Sequence, residues 1–152
     1  MRNDGNMDAF NSMDLCFDSR GENEGFARVA VSAFAVQLSP TLETLTDIKT
    51  AVSEAVTNCV VHAYRERAGK ICISCRAYQD GRFFVTVRDE GCGIADIARA
   101  MEPFYTTQPE CERSGMGFAV MQTFMDEVDV QSTPGSGTSV RMRKRIRQEA
   151  QH

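Results

Sequence analysis

The sequence predicts a single α/β domain, a two-layer sandwich whose helices pack on one face of a mixed, mainly antiparallel sheet. Three observations carry that prediction. The stretches 22–38 and 40–64 repeat apolar residues at helical spacing. Two shorter runs flank Asp80-Gly81, a strong signal for a tight hairpin. Two more runs are joined by Pro134-Gly135-Ser136-Gly137. Taken in order, these elements describe one sheet with one layer of helices.

The first 13 residues are polar and form an N-terminal arm, and the domain is expected over 14–145 with a tail at 146–152. Met13 to Asp18 alternates apolar and polar side chains, as a strand does. From Glu22 to Leu38, helical spacing of Phe26, Val29, Ala30, Ala33 and Gln37 suggests a mostly apolar inner face, with Arg28 on the opposite, solvent side. Ser39-Pro40 reads as an N-cap followed by proline in the first turn, with Glu43 favouring the helix dipole. The second helix then extends to about Tyr64, because Leu45, Ile48, Val52, Ala55, Val56 and Cys59 form one stripe. Glu54, Asn58 and His62, spaced i, i+4, i+8, form a separate polar stripe. Lys70 to Gln79 and Arg82 to Arg88 are the hairpin strands. Pro103 to Arg113 is too polar and broken for core and is expected to be a loop. Ser114-Gly115-Met116-Gly117 opens a helix over Phe118 to Phe124, and the last strands lie near Glu127 to Ser132 and Thr138 to Lys144.

Composition narrows the function. The chain of 152 residues is 42% apolar and 25% charged, with a net charge of −4, an ordinary soluble balance that argues against direct nucleic-acid binding. Its one basic cluster, Arg141 to Arg147, is expected to be a solvated tail. No apolar run reaches the ~20 residues of a membrane helix, and Met1 to Asp14 has no signal-peptide core, so a cytoplasmic location is expected. Cys72 and Cys75 would point to opposite faces of a strand, while Cys16, Cys59, Cys92 and Cys111 are scattered singly. Reduced, mostly buried thiols are expected, not a metal site or a disulfide.

Three segments carry chemistry. Gly115 and Gly117 free backbone N–H groups at the positive end of a helix, which suits phosphate. Asn58 offers a carbonyl oxygen, a hard ligand that Mg²⁺ accepts beside phosphate and water. Glu54, one turn earlier, is a carboxylate placed to take a proton. Asp89 can accept a hydrogen bond from an exocyclic amine while Gly91 and Gly93 let a flat ring approach the backbone. Each has a plainer reading alone: a solvated helix face, a turn, tight packing.

Their order is more specific. E-x-x-x-N-x-x-x-H-A-Y (Glu54, Asn58, His62, Ala63, Tyr64), D-x-G-x-G-I (Asp89, Gly91, Gly93, Ile94), S-G-M-G-F (Ser114 to Phe118) and G-T-x-V (Gly137, Thr138, Val140) resemble the Bergerat-type ATP-binding fold of gyrase, a heat-shock chaperone, histidine kinases and MutL. The stretches NEGFAR, VSEAVTN, VRDEG, ERSGMGF and FMDEV are similar to the anti-sigma-F factors of endospore-forming bacteria, small serine-protein kinases, and the resemblance runs from about Asp14 to Arg145.

The resemblance implies ATP or ADP with Mg²⁺ as ligands. It gives Asp89 the adenine amino group, with Thr138 as helper and Gly91 and Gly93 lining base and ribose. Asn58 matches the magnesium ligand, Glu54 the general base, and Ser114, Gly115, Met116 and Gly117 the phosphate loop. Thr106, Thr107 and Arg113 match the lid. Arg28 matches a surface shared by two partners, a sporulation sigma factor and the anti-anti-sigma factor phosphorylated on serine. A homodimer through the first helix and strand is also implied. The alternative is a non-catalytic, ATP-gated protein-binding module, which would need Asn58 and the glycines but not Glu54. A sensor-kinase domain is disfavoured, because His62 and His152 are the only histidines and no phosphoacceptor hairpin precedes the domain.

Overall fold

The computed structural model describes residues 8–64, 68–94, 97–101 and 117–146. One sheet contains β1 (Asn11–Asp18), β2 (Lys70–Ala77), β3 (Arg82–Asp89), β4 (Glu127–Thr133) and β5 (Gly137–Arg145). Across the sheet the order is β1-β2-β3-β5-β4. All four pairings are antiparallel, so the described strands form an antiparallel sheet, not a mixed one. The helices are α1 (Glu22–Ala35), α2 (Leu42–Asn58), a single turn α3 (Ile97–Ala100) and α4 (Gly117–Phe124). No helix among the described residues is long and apolar enough to cross a membrane.

Strand alternation decides which face the helices cover. Ile71, Ile73, Cys75 and Ala77 of β2, Phe83, Val85 and Val87 of β3, and Val140 and Met142 of β5 are buried on one side. Against them pack Ala27, Val31, Phe34 and Ala35 of α1, the stripe Ile48, Ala51, Val52, Ala55 and Val56 of α2, and Phe118 and Met121 of α4. Phe34 and Phe83 meet with ring centroids 6.4 Å apart. Each fully buried aliphatic side chain contributes about 1.5–3 kcal/mol. The α2 stripe is thus a main attachment of the helical layer.

Several local expectations need correction. The inner face of α1 is Ala27, Val31, Phe34 and Ala35, whereas Phe26 and Val29 are 51% and 64% exposed. The predicted apolar stripe exists but points outward, because two apolar stripes run along this helix and the other one meets the sheet. Arg28 lies between them at the edge of a cleft beside α2, its side chain 43% exposed, so it keeps the solvent access expected of it. The cap of α2 is Thr41, whose hydroxyl accepts the Thr44 N–H at 3.1 Å. Ser39 instead ends the 3₁₀ turn Val36–Leu38 at φ 55°. The α-helical part of α2 stops at Asn58 and continues as a π-helical turn over Cys59–Ala63.

Cysteine pairing also differs. β1 and β2 run in a register that sets Cys16 opposite Cys72 on the face away from the helices. The two form a disulfide with Cα atoms 4.1 Å apart. The pairing depends on the register of strands far apart in sequence, which C-x-x-C spacing does not report. Cys59 and Cys75 are buried free thiols, as expected, and Cys111 lies outside the described residues. Finally, Arg141 to Arg145 belong to β5 and not to a tail. Lys144 there bonds the Phe124 carbonyl at 2.6 Å and Asp47 at 3.3 Å, which caps α4 and ties it to α2. The sheet also takes in residues 11–13 of the supposed arm, and Ile146 is buried with its N–H bonded to the Gly81 carbonyl at 2.7 Å.

Candidate active site

Asp89 continues the core-facing row Phe83, Val85, Val87, so the two-residue period of β3 delivers a carboxylate to a buried position. It is 8% exposed and is the one charged residue buried among the described residues. Its Oδ1 accepts the Gly91 N–H at 2.9 Å and the Thr138 N–H at 3.3 Å, and its Oδ2 accepts the Cys59 thiol at 3.4 Å. Burial pushes the Asp89 pKa up, and these three hydrogen bonds oppose the shift. Burial, then the neighbouring carboxylate, pushes the Cys59 thiol well up, so it remains a donor.

The loop after Asp89 is clamped on both sides. Cys92 donates its N–H to the Ala63 carbonyl at 3.0 Å, and its own carbonyl accepts the Gly135 N–H at 2.7 Å. A side chain at Gly91 would strike the Ala63 carbonyl, and one at Gly93, φ 78°, would strike the Thr133 carbonyl. These two glycines let the loop thread between the π-helical turn and the β4–β5 turn. Thr138 Oγ1 lies 2.8 Å from Ser132 Oγ, which also accepts the Ile94 N–H at 2.7 Å. Tyr64 accepts the Glu90 N–H at 2.8 Å and donates to the Lys70 carbonyl at 2.6 Å. The sequence signalled Tyr64 within its motif but not this task. Ser132 carried no sequence signal, since its partners come from elsewhere in the chain.

A second group lies along the polar stripe of α2. The Asn58 side chain stands against Gly117 at the start of α4, where an added Cβ would be 3.1 Å from both Asn58 Oδ1 and Nδ2. Glu54, one turn earlier, opens onto a cleft of about 450 Å³ lined by Arg28, Thr46, Lys49, Thr50, Ser53 and Glu54. Arg28 pairs there with Glu24 at 3.1 Å. The structure thus brings Asn58 to Gly117, Glu54 to Arg28, and Asp89 to Gly91 and Thr138. Thr106, Thr107, Arg113, Ser114, Gly115 and Met116 lie outside the described residues.

The model of the histidine kinase-like ATPase domain matches residues 17–144. An anti-sigma F factor of Caldanaerobacter subterraneus subsp. tengcongensis is 57% identical over 141 residues, spanning 92% of this chain and 97% of its own. This chain belongs to the anti-sigma F factor family. Relatives in that family from Oceanobacillus iheyensis and Clostridium acetobutylicum are 55% and 50% identical, each across 90% of this chain and 93% and 94% of their own. Among solved structures, the RsbU and RsbW domains of a Mycobacterium tuberculosis protein match with TM-score 0.68 and 18% identity, over 92% of this chain and 34% of that one. A blue-light activated histidine kinase domain of Erythrobacter litoralis matches with TM-score 0.54 and 22% identity, over 83% of this chain and 64% of that one. Both share the fold with the anti-sigma F factor family, and the family and fold expected from the motifs are borne out.

Proposed function

We propose that the chain binds ATP and ADP with Mg²⁺, holds and inhibits a sporulation sigma factor in an ATP-dependent way, and phosphorylates the anti-anti-sigma antagonist on a serine. The observation that carries the kinase reading is the meeting of Asn58 with Gly117 one helical turn from Glu54. Family membership supports the partners. The described residues suit the nucleotide: a carboxylate has about four lone-pair sites, and Asp89 uses three, which leaves an acceptor for the adenine amine. Gly117 presents no side chain where phosphate and Asn58 would meet. No cluster of three or more His, Cys, Asp or Glu among the described residues could hold a metal, so Mg²⁺ would rest on Asn58 together with phosphate oxygens and water. Bound there, it would neutralise charge on the triphosphate.

Glu54 has the catalytic part. It takes the proton of the serine hydroxyl as that oxygen bonds the terminal phosphorus of ATP, the bond to the bridging oxygen breaks, and ADP leaves. Ser114, Gly115 and Met116 complete the phosphate loop, and Thr106, Thr107 and Arg113 form its lid. Gly91 and Gly93 shape the floor beneath base and ribose. Arg28, at the rim of the cleft, is the residue for both protein partners. The exposed stripe Phe26, Val29, Ala33 and Val36 supports a homodimer through α1. The reaction is placed in the cytoplasm, without direct nucleic-acid contact.

The test combines labelled ATP, Mg²⁺ and the antagonist protein with wild type and Glu54→Gln. Transfer to serine is expected to fall by roughly 10²- to 10⁴-fold while sigma-factor capture persists. Equal loss of both would make Glu54 structural, and loss of neither would favour the non-catalytic binding module.

A further inference from the structure

The cleft beside Glu54 is larger than proton transfer requires. Its volume of about 450 Å³ falls in the ~300–1,000 Å³ range of ligand clefts. Thr46, Lys49, Thr50, Ser53 and Glu54 are spaced i, i+3, i+4, i+7, i+8, so one face of α2 forms its floor, and Arg28 of α1 forms the opposite wall. Two cations and three hydroxyl groups therefore line the approach to one carboxylate. Ser53 Oγ is buried with no hydrogen-bond partner among the described residues. By contrast, Thr50 is satisfied by the Thr46 carbonyl at 2.9 Å. Among the described residues Arg28 is paired with Glu24 alone, at i,i+4 and with side chains 43% and 26% exposed, a contact readily exchanged for another carboxylate. Lys49 is half-buried in the floor and has no ion pair among the described residues.

We propose that this cleft is the docking channel for the phosphoacceptor chain, and that Lys49 is a specificity-determining residue that pairs with an acidic side chain of the acceptor close to its serine. The proposal rests on the kinase reading of Glu54. Lys49 lies five positions before Glu54, about 7.5 Å along the axis and ~140° around it. An extended chain rises about 3.3 Å per residue, so an acidic side chain about three residues from the serine can reach it. A neutral or basic sequence in the same place would leave Lys49 unpaired or repelled, which is how the channel discriminates.

Steady-state phosphoryl transfer from ATP to the full-length anti-anti-sigma protein tests this, after mass spectrometry has located its phosphoserine. Lys49→Glu is expected to raise KM for that protein by about tenfold or more, with kcat and the KM for ATP within about twofold. Lys49→Gln, which keeps the stem and should fold as the wild type does, is expected to raise it by a smaller factor. Acceptor variants in which each Asp or Glu within three residues of the serine is changed in turn to Lys should include one that restores turnover by Lys49→Glu. Normal transfer by wild type with an unchanged acceptor KM in both Lys49 variants overturns the docking assignment alone. Equal damage to the KM for ATP would also overturn it, by showing a structural role. No transfer by wild type, despite measurable ATP binding, would overturn the kinase reading and this inference with it.

Discussion

The outer face of α1 and the end of β3 depart from ordinary side-chain sorting in opposite directions. The first leaves Phe26, Val29 and Val36 more than half exposed, and the second places Asp89 at 8% exposure among apolar neighbours. The two departures differ in what they cost an isolated chain. Apolar atoms make up much of any protein surface, so the α1 stripe adds little strain to the fold and a partner surface can cover it. A buried carboxylate is expensive to keep charged, and burial pushes the Asp89 pKa up accordingly. A buried charge held by Gly91 and Thr138 N–H groups is therefore the stronger sign of function, and an exposed stripe the weaker one.

Ordinary sorting sets the scale. Ile48, fully buried in the α2 stripe, is where it is obeyed, and Ile48→Ala is expected to lower unfolding free energy by about 2–5 kcal/mol in urea titration. A loss under about 1 kcal/mol would mean that α2 is not the anchor of the layer.

Asp89→Asn separates function from stability. Without nucleotide, the amide oxygen can still accept from Gly91 and Thr138, and the costly charge is gone. With nucleotide, whichever way the amide turns, an N–H meets another donor, so ATP affinity measured by calorimetry should fall by the equivalent of about 1–3 kcal/mol. The sign of the pH effect follows from the raised native pKa. The native state holds the proton when the unfolded chain has released it, so this group's contribution is present below the usual 3.8 and is lost as pH rises through the native value. The difference in melting temperature between variant and wild type should therefore shift in favour of the variant over that window. A flat difference would mean that Asp89 carries no desolvation cost.

The smallest effect on folding is expected at Val29→Asp. Its exposure predicts a change within about 0.5 kcal/mol, whereas self-association measured by sedimentation should weaken by about tenfold or more. Unchanged association would rule α1 out of the proposed dimer interface and leave its stripe as ordinary surface.

How much of this the sequence exposed depends on the range of the contacts. Periodicity along a single element was legible: the α2 stripe, the i, i+4 spacing of Glu54 and Asn58, and the arrival of Asp89 at a strand end. In α1 the same reasoning found the correct repeat and the wrong direction. That helix carries one apolar stripe of Phe26, Val29 and Ala33 and another of Ala27, Val31 and Phe34, and only the sheet chooses between them. Ser132 beside Thr138, the Tyr64 hydroxyl at Glu90 and Cys16 against Cys72 depend on strand register or loop clamping across long separations. No local pattern encodes them.

The Cys16–Cys72 bond has a consequence that lies outside the native state. Its partners are 56 residues apart in sequence, and the covalent ring they close contains the whole of α1 and α2. When the chain denatures with the bond intact, that ring persists and confines the disordered ensemble, an entropic restriction of about 4 kcal/mol for a loop of this size. Under reducing conditions the ring opens and the same native fold is set against a looser denatured chain. Oxidised and reduced samples therefore share one folded structure but have different reference states, and their unfolding free energies lie on different scales.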